Sequence, residues 1–214
     1  MTPPLGLLDD VQRRIEAVYG LEPQEPVAEY VIPHGEAAEY PGDGSRTLVR
    51  QEGDELRVAV VFEESVARRL SEADPRVRLD ADNLGPFATL TEEVSHFVYL
   101  MFCAQAERSI TQLELELQGE VDKYLTSLAF LSLQNEGAVS PKLREALFRR
   151  YRLADKVTPE SAERYHAASR LADRYCGWLE KHYVRSGRAA ELTREARRFY
   201  RLGQGEKLER IARM

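Results

Sequence analysis

The sequence has few of the features that assign a chain to a common functional class. It contains only two cysteines, Cys103 and Cys176, and neither has a second cysteine at the spacing of a zinc or redox motif. We therefore expect two buried free thiols instead of a disulfide framework or a cysteine-based metal site. There is also no GxSxG elbow and no P-loop, and no GxGxxG pattern follows a strand. These absences argue against the hydrolases and nucleotide-binding enzymes that such motifs identify.

Long apolar runs and targeting signals are missing as well. No segment approaches the roughly 18 apolar residues that a membrane span needs. The first ten residues lack the basic start and the apolar stretch of a signal peptide. We therefore expect a cytoplasmic protein without a membrane partner. At 214 residues and 43% hydrophobic content, the chain can bury a full core in one or two domains.

The net charge of −6 hides an asymmetry between two parts of the chain. Residues 1–140 hold 11 Lys and Arg against 26 Asp and Glu, whereas residues 141–214 hold 19 against 10. A basic C-terminal part can dock on an acidic partner, including nucleic acid, or on the chain's own acidic part. The candidate contacts for an acidic partner are four arginines that flank two aromatic residues: Arg194, Arg197, Arg198 and Arg201.

Hydrophobic periodicity predicts an α+β fold that is mostly helical. Two β-branched runs around a Gly/Asp turn predict a hairpin over residues 47–62. Residues 76–79 read as an edge strand and residues 80–86 as a loop. The remaining pattern is helical, with a capping box at Thr111 and with Pro141 at a first helical position. The predicted helices cover 5–19, 63–72, 90–106, 111–133, a segment from 141, 159–184, 188–201 and 206–213.

These elements predict two parts. Residues 1–140 are expected to form an acidic α+β domain in which a small N-terminal sheet packs on a helix pair. Residues 141–214 are expected to form a basic, helical C-terminal domain or extension. The apolar face at 113–133 suits either a core or a dimer seam, so a homodimer stays open as a prediction.

The helix at 90–106 carries a pattern that points to chemistry. Glu93 and His96 lie three residues apart, so their side chains share one helix face, and Glu92 shares much of it. A carboxylate and an imidazole at this spacing can hold a metal ion or exchange a proton. The alternative is a purely structural role, in which Glu93, His96, Gln118 and Asp122 form a hydrogen-bonded polar cluster between two packed helices.

The segment 86–97 resembles the part of ImmA/IrrE-type zinc metallopeptidases that carries their HExxH motif. Thr89 and Leu90 match the Thr-Leu before that motif, Glu93 matches its general-base Glu, and His96 its second zinc-ligand His. The segment 116–124 resembles the family's second ligand-bearing helix. The resemblance covers about residues 45–133 and implies a zincin-like fold with a single divalent metal, zinc.

Two positions depart from the family pattern. Glu92 stands where the family has its first His, and Gln118 stands where it has its third ligand. Because the HExxH chemistry needs both histidines and a further ligand, we expect a degenerate site with either no metal or one. The metal candidates are Glu92, His96 and Glu120, with Glu116 as an alternative to Glu120. The catalytic candidate is Glu93, and Gln118 and Asp122 are assigned to a polar cluster.

A second Glu-x-x-His, Glu163 to His166, allows another interpretation. Ferritin-like di-metal proteins place two such motifs and two further Glu on four helices. Glu93, His96, Glu120, Glu163, His166 and either Glu63 or Glu64 come in the matching chain order. The first hypothesis is thus a degenerate zincin-like protein that acts in regulation or protein interaction. The alternative is a metal-dependent enzyme, either a divergent metallopeptidase or a ferritin-like di-metal carboxylate protein.

Overall fold

The computed structural model describes residues 1–40, 42–53, 55–138, 140–148 and 158–214. These residues form a mostly helical α+β fold with one small sheet, which confirms the predicted fold class. The strands are β1 (Val31–Ile32), β2 (Arg46–Glu52) and β3 (Glu55–Val61). The helices are α1 (Leu5–Tyr19), α2 (Glu64–Glu72), α3 (Leu84–Gln105), α4 (Gln112–Gln134), α5 (Leu143–Phe148), α6 (Pro159–Leu179), α7 (Ala189–Arg201) and α8 (Gln204–Ala212), with a π-helical turn at Glu180–Val184.

The sheet has the order β1-β3-β2. Strands β2 and β3 form the predicted antiparallel hairpin, with Thr47 opposite Val60 and Glu52 opposite Glu55. Gly53 has a φ of 61°, a conformation that glycine adopts without steric cost in the tight turn. Only the end of β3 is fully buried, since Val60 and Val61 are inaccessible while Val58 is half-buried.

The helix pair α3 and α4 lies at the centre of the molecule. Helix α3 is buried on nearly all sides from Leu90 to Leu100, with Glu92 as the exception, as expected of a core helix. The Thr111 hydroxyl accepts a hydrogen bond from the Glu114 amide at 3.1 Å and caps the start of α4. This is one half of the predicted capping box, because the Glu114 side chain accepts from Tyr99 and Arg108 instead of the Thr111 amide. Within the part of the chain that the structure describes, none of the helices is long and apolar enough to cross a membrane.

The C-terminal helices pack directly on this pair and on α1. Helix α6 lies along α4, α7 along α1, and α8 against α6. One hydrophobic cluster includes side chains from both sides of residue 140, among them Val121 and Ala172. The predicted free thiols, Cys103 and Cys176, are both buried in it. The division into two domains at residue 140 stays a prediction, and the apolar side chains of α4 lie in this shared core.

The segment before α3 differs from its prediction. Residues 76–79 do not form an edge strand: residues 75–77 form a turn, residues 78 and 79 have no regular structure, and Val77 is 81% exposed. The Leu79 amide donates to the Gln134 side chain at 2.8 Å, and the Asn83 amide group donates to the carbonyls of Ala73 and Arg78. These side-chain bonds satisfy the backbone groups that a strand would have paired. Helix α3 then begins at Leu84 and includes Pro86, because proline is tolerated in a first helical turn.

Candidate functional site

Helix α4 presents polar side chains on two opposite faces. Glu116, Glu120 and Lys123 recur at one-turn spacing and face the Glu92–His96 side of α3. The other face carries Glu114, Gln118 and Asp122, which contact Ser95 and Tyr99 of α3 and the C-terminal helices. We call the first group, with Glu92, Glu93 and His96, the histidine cluster. We call the second group, with Tyr19, Ser95, Tyr99 and Lys207, the Lys207 network.

Three side chains of the histidine cluster converge on one point. Each of Glu92, His96 and Glu116 has a ligand atom within 4.8 Å of a ligand atom of both others. The side chains of His96 and Glu116 are only 8% exposed, and that of Glu92 is 18% exposed. An imidazole nitrogen and two carboxylates at this separation form a set that one cation can bridge.

The two ring nitrogens of His96 face different carboxylates. Nδ1 lies 3.5 Å from Glu93 Oε2, and Nε2 lies 3.6 Å from Glu116 Oε2. Among the described residues, His96 Nε2 and Glu116 Oε2 have no hydrogen-bond partner although both atoms are buried. Burial opposes the charged imidazolium, but the surrounding carboxylates, above all Glu93, outweigh it and raise the pKa of His96 to about 9.

Glu93 is held from two sides. Its Oε2 accepts a hydrogen bond from the Thr47 hydroxyl of β2 at 2.7 Å and faces His96 Nδ1. The hairpin therefore positions the catalytic candidate of the sequence. A carboxylate on the second nitrogen of a histidine sets the orientation and tautomer of the ring and leaves the first nitrogen for a ligand. In this geometry Glu93 supports His96, and it does not face the point where Glu92, His96 and Glu116 converge.

Lys123 occupies the side of the cluster nearest Glu120. Its Nζ donates to Glu92 Oε2 at 2.9 Å and to Glu120 Oε1 at 2.8 Å. Burial disfavours the ammonium, but Glu92 and Glu120 outweigh that effect and raise the pKa of Lys123. Glu120, a metal candidate of the sequence, is thus paired with Lys123, and the structure places Glu116 in the converging group instead.

Glu116 has the environment of a carboxyl group that resists ionisation. Burial is the largest influence and raises the pKa of Glu116 to about 7, against the favourable charge of His96. Arg164 of α6 approaches it from the other side, with Nε 3.7 Å from Glu116 Oε1. A buried carboxyl with a raised pKa in a polar cluster is typical of a functional site.

A glycine allows the close packing at His96. A Cβ atom on Gly119 would lie 2.9 Å from His96 Nε2 and 3.4 Å from Glu92 Cγ. Glycine within a helix is destabilising relative to alanine by roughly 1 kcal/mol, so its presence there calls for a local reason. At Gly119 that reason is the imidazole, which lies directly against the α4 backbone.

The Lys207 network lies on the other face of α4. Gln118 donates to Asp122 Oδ1 at 3.1 Å and accepts from Lys207 Nζ at 2.8 Å, while Ser95 donates to Asp122 Oδ2 at 2.5 Å. Burial raises the pKa of Asp122 to about 6 and lowers that of Lys207 to about 7. The structure thus joins Gln118 and Asp122 by a hydrogen bond but separates them from Glu93 and His96, with which the sequence had grouped them.

The zinc ligand set implied by the resemblance does not assemble. Its three positions are Glu92, His96 and Gln118, and the Gln118 side chain points to Lys207 and Asp122 on the far face of α4. Residues two apart on a helix project about 200° from each other, so Gln118 cannot replace Glu116 without a rotation of α4. The residues present do not fit the family's zinc site.

The second Glu-x-x-His lies apart from the cluster. Glu163 and His166 are exposed on α6, and Glu63 and Glu64 are exposed before and at the start of α2. Within the described ranges, the group that can hold a metal consists of Glu92, His96 and Glu116 alone. The structure therefore does not bring together the side chains that a di-metal carboxylate centre would need.

The four arginines of the C-terminal part divide into two pairs. Arg197 donates to the carbonyls of Val18 and Ala17 at 2.9 and 3.0 Å, and Arg201 donates to the Tyr19 carbonyl at 3.1 Å. Both side chains therefore satisfy the last carbonyls of α1. Arg194 and Arg198 are exposed on α7.

Sequence reasoning missed Lys123, Thr47 and Lys207, and did not select Glu116. Helical spacing was the available signal for α4, because positions 116, 120 and 123 share one face and 118 and 122 share the opposite one. No comparable signal existed for Thr47 or Lys207, which reach the site through tertiary packing.

Comparisons of the chain with protein-family models, curated proteins and solved structures found no match. The resemblance to ImmA/IrrE-type peptidases therefore rests on the short motifs alone and stays a prediction.

Proposed function

We propose that the protein is a zincin-like helix pair that has lost peptidase activity and acts in regulation or protein–protein interaction. The observation that carries the proposal is the position of Gln118, whose amide belongs to the Lys207 network instead of the histidine cluster. A peptidase of this type needs a third ligand on the His96 side, together with an open position for water.

The surroundings of Glu92 and Glu93 support the proposal. Glu92 replaces the first histidine of the motif and pairs with the Lys123 ammonium at 2.9 Å. One oxygen of Glu92 is therefore bound to Lys123, whereas the first histidine of the motif offers its nitrogen to the zinc. Glu93 is engaged by Thr47 and by His96 Nδ1, so its carboxylate is not directed at a water molecule on the Nε2 side. A protein partner or a second copy of the chain remains the proposed target.

Peptidase assays test the proposal. We expect purified wild-type protein with added Zn²⁺ to leave unfolded casein and a quenched-fluorescence peptide library intact. A Glu93→Gln variant is the matched control for contaminating proteases, since it removes the one general-base candidate. Cleavage by the wild-type protein that disappears in Glu93→Gln would overturn the proposal in favour of a metal-dependent hydrolase.

A further inference from the structure

Three buried atoms of the histidine cluster have no hydrogen-bond partner among the described residues: His96 Nε2, Glu116 Oε2 and Glu120 Oε2. The first two face each other at 3.6 Å, which is within ion-pair range but too long for a hydrogen bond. Buried polar atoms are nearly always paired, and an unpaired one calls for an ion, a water molecule or another group. Because an imidazole nitrogen and a carboxylate oxygen share this gap, a cation satisfies both atoms at once.

The supporting residues leave one ring nitrogen available. Glu93 accepts the Thr47 hydroxyl and faces Nδ1 of His96, which directs Nε2 toward Glu116. Metal-binding histidines almost always have a carboxylate or carbonyl on the other ring nitrogen. Glu92 contributes a second carboxylate, of which Lys123 occupies Oε2 and leaves Oε1.

The charges around the cluster favour a divalent ion. The contacts connect four carboxylates, those of Glu92, Glu93, Glu116 and Glu120, with the cations Lys123 and Arg164. A metal ion must displace the protons from His96 and Glu116 to bind them. Two negative charges then remain in the cluster, and a doubly charged cation balances them.

We propose that Glu92, His96 and Glu116 form a site for one divalent transition-metal ion, bound by His96 through Nε2 while Glu93 orients the imidazole through Nδ1. One imidazole nitrogen with two carboxylates suits Zn²⁺ or Mn²⁺ better than Mg²⁺, which prefers six oxygen ligands. The site uses Glu116, two residues before the position of the third ligand in the resembling family. This metal-binding proposal is tested independently of the loss of peptidase activity, because metal binding is measured without any substrate.

Isothermal titration of the chelator-treated full-length protein with Zn²⁺ tests the proposal, with Mg²⁺ as the comparison ion. We expect one Zn²⁺ per chain, bound at least about 10-fold more tightly than Mg²⁺. Glu116→Gln should weaken Zn²⁺ binding by at least about 10-fold, since even outer contacts of a metal are worth that much. The control is Glu163→Gln, which removes the same charge from the exposed surface of α6, outside the histidine cluster, and should retain Zn²⁺ binding within about 3-fold.

Three results would overturn the site. These are no saturable Zn²⁺ binding by the wild-type protein, equal binding by wild type and Glu116→Gln, and equal loss in Glu116→Gln and Glu163→Gln. If Glu116→Gln does not fold, the site is tested by recording the histidine NMR signals of the wild-type protein with and without Zn²⁺. The chain has four histidines, His34, His96, His166 and His182. Zn²⁺ should shift the imidazole signal of His96, and a shift confined to the others would reject the site.

Discussion

Gly119 shows how one residue sets the distance between α3 and α4 at the histidine cluster. Helix propensity alone predicts that Gly119→Ala stabilises the protein by about 1 kcal/mol. The structure predicts the opposite sign, because the new Cβ would lie 2.9 Å from His96 Nε2 inside a packed interface. We expect a loss of about 1–3 kcal/mol in the free energy of unfolding, the usual cost of overpacking. Urea denaturation measures it.

The control for this variant is Gly85→Ala in the first turn of α3. No described atom lies within 4 Å of a Cβ placed on Gly85, so alanine there should be neutral or slightly stabilising. Stabilisation by both substitutions would mean that His96 does not lie against α4 as described.

Thr47 is the contact through which the hairpin reaches the histidine cluster. Thr47→Val keeps the β-branched shape that suits β2 but removes the hydroxyl that donates to Glu93 Oε2 at 2.7 Å. We expect the free energy of unfolding to fall by about 1–3 kcal/mol, because a buried carboxylate loses a charge-assisted bond. Thr47→Ser retains the hydroxyl and should lose much less. Equal losses in the two variants, measured by urea denaturation at pH 7, would show that packing and not the hydroxyl matters.

At the scale of elements, helix α4 shows what the sequence could and could not predict. Its existence and its start follow from periodicity and from the Thr111 cap, and both predictions are confirmed. The predicted contacts of its polar residues were wrong in part, since motif matching placed Gln118 beside His96. Helix geometry separates Gln118 from Glu116 by half a turn, but the sequence does not say which face meets His96. That depends on how α4 is rotated against α3, which tertiary packing decides.

The incorrect edge strand at residues 76–79 has a related cause. Alternating Arg and apolar residues have the period of a strand, and that pattern was the basis of the prediction. The backbone groups of this segment are instead bonded to the Gln134 and Asn83 side chains. Gln134 lies 55 residues away from Leu79 in the chain, so no local pattern could indicate this contact.

Two arginines of α7 act on another element, helix α1. Replacing Arg197 and Arg201 together by Gln removes three donors to the last carbonyls of α1. We expect the free energy of unfolding to fall by about 1–2 kcal/mol, because exposed capping bonds are each worth a modest amount. Replacing Arg194 and Arg198 by Gln changes the net charge equally and should leave stability nearly unchanged. Thermal unfolding of the two double variants makes the comparison, and an equal effect would assign both pairs to general electrostatics.

At the scale of the whole molecule, cations of the C-terminal part contact the N-terminal part of the chain. Arg164 approaches Glu116, Arg197 and Arg201 cap α1, and Lys207 enters the network of Gln118 and Tyr99. The charge asymmetry in the sequence thus serves, at least at these positions, to bind the chain to itself. This outcome was one of the two that the asymmetry predicted, and it leaves fewer arginines for an external acidic partner.

Lys207 gives this internal docking a measurable pH dependence. The side chain is fully buried, donates to Tyr99 and Gln118, and has a pKa lowered from 10.5 to about 7 by burial. Glu114 and Asp122 favour its charge, Arg108 opposes it, and Cys103 adds a smaller influence. Because the unfolded chain holds the proton up to higher pH, the buried ammonium is most costly below pH 7. That cost is relieved as the pH rises from about 7 toward 10.5.

The prediction concerns the difference in unfolding free energy between the wild-type protein and Lys207→Met. From pH 7 to pH 9 this difference should move in favour of the wild type by about 2–3 kcal/mol, at about 1.4 kcal/mol per pKa unit. His96 acts in the opposite direction, since its raised pKa stabilises the fold at low pH and that stability is lost as the pH rises through 9. The contribution of His96 is common to both proteins and cancels in the difference.

Lys181→Met, on an exposed side chain, is the control for loss of charge. A difference that stays constant with pH would mean that Lys207 keeps an ordinary pKa, and that α8 does not carry a buried amine into the core.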